Sequence, residues 1–140
     1  MYIQPYLFFD GRCQEALDYY VSQLGAKVEM SMRFKDSPEP AGHGQMAPGS
    51  ENNVMHASFR IGDTVVMASD GYGKGKPVFQ GFALSLSVQS VADADRYFSA
   101  LAKGGTIQQP LTKTFFAPSF GMVTDKFGVP WMVIAEDKPR

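Results

Sequence analysis

The chain reads as an α+β protein built from two βαβββ modules related by an internal repeat, whose strands form a curved mixed sheet around a central cavity. Two features of the repeat point there. Helix-period segments, EALDYYVSQLGAKV from Glu15 and DADRYFSALAKGGTI from Asp93, each place an aromatic pair after an acidic, alanine-rich turn and end in a glycine ahead of a β-branched residue. A hydrophobic strand closes each half, IGDTVVMASD in the first and FGVPWMVIAED in the second, with Gly62 matching Gly128. A third observation is strand parity, in which apolar and polar residues alternate with period 2.

In the first half, IQPYLFF reads as a strand, and Asp10 is placed to cap the helix that follows. Cys13, Leu17, Tyr20 and Leu24 fall at i, i+4, i+7 and i+11, one buried stripe. KVEMSMRF and VMHASFRI continue as strands. In the latter, Met55, Ala57, Phe59 and Ile61 suit the helix side, which leaves His56, Ser58 and Arg60 on the opposite face.

In the second half, FALSLSV sets Phe82, Leu84, Leu86 and Val88 against Ala83, Ser85 and Ser87. Ser90, with Asp93 three residues on, resembles a capping box for a helix whose stripe is Val91, Ala94, Phe98 and Leu101. TIQQPL and GMVTDKF read as the next strands. The modules span residues 1–70 and 80–140, joined by a linker at 71–79 within one domain. A helix covers only one face of such a sheet, so the uncovered faces must meet or enclose something.

The linker belongs to DGYGKGKP, Asp70 to Pro77, whose glycines and lysines suggest a phosphate cradle. That reading needs a helix after the loop and a Ser or Thr after a Lys. Pro77 and another strand follow instead, so the stretch reads as a solvated linker.

Composition excludes other classes. Hydrophobic residues at 44% and charged ones at 19% mark a globular chain, and a net charge of −1 with scattered Lys and Arg does not suit nucleic acid. A single cysteine forms no internal disulfide, and Cys13 reads as a packed small hydrophobe rather than a reactive thiol. MYIQPYLFFDGR has neither a basic n-region nor an apolar span, so a cytoplasmic protein with no membrane partner is expected.

With these modules in view, "FDGRCQEALDYY", "HASFRIGDTVVMASD" and "DKFGVPWMV" together resemble the glyoxalase/bleomycin-resistance (vicinal oxygen chelate) superfamily, and more narrowly its PhnB-like branch. The likeness covers nearly the whole chain. Members of that branch have carried a demethylubiquinone methyltransferase label, but no glycine-rich turn of a nucleotide-binding methyltransferase follows the first strand. The resemblance implies a homodimer and, in the superfamily's enzymes, a divalent metal held by His and Glu or Gln from four strands. Carried onto this chain, those positions are Pro5 (or Gln4, one residue away), Val66, Ala83 and Met132. None of Pro, Val, Ala and Met is a ligand for such an ion, so no cofactor is expected.

Of the two histidines, His43 lies in the loop SPEPAGHGQMAPGSENN and reads as solvated, whereas His56 stands on a strand and faces the expected cavity. A displaced metal site would have to combine His56 and Gln4 with a carboxylate such as Asp70 or Glu136. Leu7, Phe9, Met67, Phe115, Phe116, Phe120 and Met132 are expected as apolar walls, with His56, Ser58, Arg60, Ser85 and Ser87 orienting a ligand. Loops 36–53 and 113–121 are long enough for lids, and Arg60 and Lys113 are available to an acidic substituent.

Three functions follow, in this order. The first is a small-molecule binding protein without the usual metal, with His56, Ser58, Arg60, Met67, Ser85, Ser87, Phe116 and Met132 as ligand residues. The second is a metal-dependent lyase, isomerase or dioxygenase with a relocated site. The third is a dimeric interaction module with a filled cavity. No catalytic residue is assigned.

Overall fold

Each half of the chain folds on the same plan. The structure, a computed structural model, describes residues 1–38, 49–71 and 75–136. Two units separate at the Pro77–Val78 bond, Met1–Pro77 and Val78–Arg140.

In the first unit the elements run β1 (Tyr6–Phe8), α1 (Cys13–Leu24), β2 (Lys27–Arg33), β3 (Val54–Ile61) and β4 (Thr64–Ser69), with short 3₁₀ turns at Phe34–Asp36 and Ser50–Asn52. They form a four-stranded mixed sheet in the order β1-β4-β3-β2, parallel only between β1 and β4. Helix α1 lies on one face, where Tyr20 stacks on Phe59 with centroids 5.7 Å apart. The cross-strand row Leu7, Ala68, Ala57 shares that face and is buried. The predicted stripe Cys13, Leu17, Tyr20 and Leu24 is buried throughout.

In the second unit β5 (Leu84–Val88), α2 (Val91–Ala102), β6 (Thr106–Thr112), β7 (Ser119–Thr124) and β8 (Pro130–Ala135) repeat the plan, with sheet order β5-β8-β7-β6. Helix α2 sits over the row Leu86, Val133, Gly121, so close that a Cβ on Gly121 would lie 2.8 Å from the Phe98 ring. Of its predicted stripe, Ala94, Phe98 and Leu101 are buried, but Val91, the first residue of the helix, is exposed.

The two helix starts differ. Ser90 Oγ accepts the Asp93 N–H at 3.0 Å, the cap expected of α2. Asp10 does not cap α1; it takes a left-handed turn at φ 46°, and Asp70 Oδ1 accepts the N–H groups of Gly11 and Cys13 instead, at 2.7 and 2.8 Å. Asp70 Oδ2 also accepts the Val54 N–H at 2.8 Å. One buried carboxylate therefore ties the β1–α1 turn and the start of β3 to the end of β4.

The closing hairpins differ as well, which alters the register of the repeat. Ile61 pairs with Thr64 across a two-residue turn, whereas Thr124 pairs with Pro130 across the five residues 125–129. Strand β7 thus stops at Thr124, and the stretch DKF expected as strand is the turn. Asp125 holds it, accepting the N–H of Phe127 and Val129 on Oδ1 and Trp131 Nε1–H on Oδ2. The longer loop flips side-chain parity relative to Gly62 and Gly128, since a slip of one residue exchanges the faces of a strand.

Candidate functional site: the open sheet faces

In the first unit the face away from α1 is set by pairing. Across the sheet, one row runs Tyr6, Met67, Ser58, Met30; in the next, His56 sits opposite Met32. Phe8 lies opposite Ser69 on the same face. Tyr6 and Phe8 stack with centroids 4.9 Å apart and remain 38% and 50% exposed. Tyr6 Oη and His56 Nδ1 are hydrogen-bonded at 2.9 Å, fixing both rings over the sheet.

His56, Ser58, Arg60 and Met67 therefore share the face predicted for them. Arg60 is already engaged, donating to Glu29 Oε2 at 3.0 Å and to the Asp63 carbonyl at 3.2 Å, so it is not free for an acidic substituent. The expectation that Leu7 and Phe9 line the open side is corrected. Both are buried, Leu7 in the row under α1, and their neighbours Tyr6 and Phe8 face outward. Tyr6, Phe8, Met30 and Met32 were missed, although the alternation in KVEMSMRF carries the signal for the two methionines.

The second unit's open face is set likewise. Ser85 pairs with Met132, Ser87 with Ile134, and Met132 and Ile134 in turn with Met122 and Phe120. Phe116 meets Phe120 edge-on at 5.2 Å. The 113–118 loop that presents it is closed by Thr114, whose Oγ1 accepts the N–H groups of Phe116 and Ala117 at 3.3 and 3.1 Å. Phe115 at its tip is fully exposed. Ser85, Ser87, Phe116 and Met132 thus come together as a group within this unit.

The metal positions are tested by the same parity. Val66 pairs with Phe59 beneath α1 and cannot face the open side; the outward residue beside it is Met67. The cause is the hairpin difference, which puts Met132 outward and Val66 inward. In the first strand Pro5 shares the parity of Leu7, so the outward position passes to Gln4. Gln4 and Met67 in the first unit offer an amide and a thioether, and Ala83 and Met132 in the second a methyl group and a thioether; neither pair fits a hard divalent ion. Among the described residues no three His, Cys, Asp or Glu side chains cluster, and the three N–H groups on Asp70 occupy the carboxylate considered for a displaced site. His43 lies outside the described residues.

Of the DGYGKGKP stretch, Asp70, Gly71, Gly75, Lys76 and Pro77 line a cleft of about 350 Å³ together with Phe8 and Asp10. Two carboxylates and the absence of a helix after Pro77 disqualify it as a phosphate cradle. Cys13 is fully buried in α1. Burial, and then the Asp70 carboxylate, push its thiol pKa far above the ordinary range, with Arg33 drawing it the other way.

Paired βαβββ modules, each with one helix-covered and one open sheet face, define a protein of the glyoxalase/bleomycin-resistance (vicinal oxygen chelate) fold. A glyoxylase/bleomycin resistance protein/dioxygenase domain from Frankia shares that fold at TM-score 0.66 and 19% identity, covering 97% of each chain. Within that class the chain belongs to the PhnB-like family, matching over residues 1–134 the family model described as 3-demethylubiquinone-9 3-methyltransferase. Protein YjdN of Escherichia coli K12 is 40% identical over 95% of this chain and 94% of its own. The crystal structure of PA1353 from Pseudomonas aeruginosa matches with TM-score 0.85 and 44% identity over 97% of this chain and 98% of that one. A PhnB protein from Bacillus cereus matches at TM-score 0.79 and 27% identity, covering 96% and 99%.

Proposed function

We propose that this chain is a cytoplasmic, homodimeric small-molecule binding protein that takes a planar or apolar molecule on its open sheet faces without the hard divalent metal of the superfamily's enzymes. One observation carries this reading: Tyr6 and Phe8, stacked and exposed, stand with His56 on a sheet face their helix does not cover. Exposed aromatics beside a few fixed polar groups are the usual composition of a small-molecule site. The donor set at the family's metal positions supports binding rather than metal-assisted chemistry. The methyltransferase description of the family finds no support in a fold whose first strand leads into Asp10-Gly11-Arg12 rather than a glycine-rich nucleotide turn.

The test is calorimetric titration with 8-anilinonaphthalene-1-sulfonate and with bleomycin, on wild type and on Phe8→Ala, alongside thermal shift with Zn²⁺, Ni²⁺, Mn²⁺ and Fe²⁺. Saturable binding weakened about 2- to 12-fold in the variant is expected, on the scale of one aromatic contact of roughly 0.5–1.5 kcal/mol. A stoichiometric divalent metal whose stabilisation disappears in His56→Ala would replace this reading by the enzyme one. Sedimentation equilibrium on the same samples checks the dimer.

A further inference from the structure

The open face of the first sheet carries more sulfur than an apolar wall requires. Met30 and Met67 flank Ser58 from either side, and Met32 sits opposite His56 in the neighbouring row. Directly opposed residues have Cβ atoms about 4.5–5.5 Å apart, and the small Ser58 leaves the space between Met30 and Met67 open to two long flexible side chains. Three thioethers and one imidazole thus rise from a patch of three strands, on the face that α1 leaves bare. Met30 is 42% exposed, so the patch is reachable.

We propose that this patch is a binding site for a soft monovalent cation, copper(I), held by the thioethers of Met30, Met32 and Met67 and the imidazole of His56. Thioether sulfur is a poor ligand for the hard ions of the superfamily and a good one for copper(I). The Tyr6 bond completes the arrangement in one of the two imidazole tautomers: when Nδ1–H of His56 donates to Tyr6 Oη, the lone pair on Nε2 is left for a metal, the way a ligating histidine is ordinarily oriented by the partner of its other nitrogen. Tyr6 is here a positioning residue. The inference goes beyond the small-molecule reading and does not depend on it.

The test uses silver(I) nitrate in chloride-free buffer as a redox-stable probe, and copper(I) under ascorbate in competition with bicinchoninate. Protein carrying ¹³C-methyl methionine is titrated and all methionine methyl signals are followed. Met30, Met32 and Met67 are expected to shift together and saturate at an equimolar ratio. Replacing all three by Leu, which conserves volume, removes that binding, and Tyr6→Phe weakens it by about 10- to 100-fold, the range for orienting partners. Silver that shifts only other methionines, binds undiminished to the triple variant, or vanishes with Cys13→Ser overturns the proposal. Should the triple variant not fold, the wild-type methyl shifts decide alone. Anilinonaphthalene sulfonate titration of wild type reads the small-molecule proposal separately, since its failure leaves the silver stoichiometry untouched.

Discussion

At the residue scale, the buried carboxylates carry more of the structure than any charge on the surface. Asp70 accepts three backbone N–H groups from two segments, and Asp125 accepts two more together with the Trp131 indole. The sequence context of Asp70 offers no hint of this, because its partners lie up to 59 positions away, whereas those of Asp125 lie within six residues. Replacing Asp70 by Asn turns one acceptor into a donor facing N–H groups and should cost about 2–3 kcal/mol, the scale of a hydrogen bond to a charged group. The midpoint of urea unfolding measures it. Cys13 gives a pH prediction. Its pKa is raised in the folded state, so the folded protein keeps a proton that the unfolded chain releases above about pH 8.5, and stability falls by up to about 1.4 kcal/mol per pH unit beyond that point. Chemical denaturation at pH 8 and 10, compared between wild type and Cys13→Ala, isolates the slope; equal slopes would reject it. Iodoacetamide should modify native Cys13 only at the rate of opening.

At the element scale, local rules succeed where an element is decided by its own residues. The α2 cap, the α1 stripe and the alternation of Leu84–Val88 were all readable because capping and periodicity involve neighbours along the chain. The α1 cap was not, since its acceptor comes from the end of β4. Hairpin length was the other hidden variable: two residues against five moved Val66 under the helix while Met132 faced outward. Gly105 illustrates an element junction fixed by space rather than by φ. A Cβ there would lie 2.1 Å from the Thr124 carbonyl, with the Asp125 backbone at 3.1 Å. Gly105→Ala must push α2–β6 away from the β7–β8 turn. We expect a loss of about 1–3 kcal/mol, as for overpacked sites; an unchanged melting temperature would show that the turn yields freely.

At the scale of the whole molecule, no helix among the described residues is long and apolar enough to cross a membrane, and in each unit the helix packs on one face of its sheet. If the open faces bind a small molecule, anilinonaphthalene sulfonate should raise the melting temperature in proportion to the logarithm of its excess over Kd. A flat response across a wide concentration range would mean that the faces serve another purpose. The sequence by itself determined the class of fold, the repeat, the strand and helix order and the side of β3 that bears His56, because each rests on periodicities of 2 and 3.6 that a chain displays without its partners. Tertiary structure decided the register of β1 and β4, the pairing of Tyr6 with His56, the engagement of Arg60 by Glu29 and the gathering of Met30, Met32 and Met67. These depend on which strands lie side by side and on the length of the turn between them, and a displacement of one residue there exchanges inside for outside.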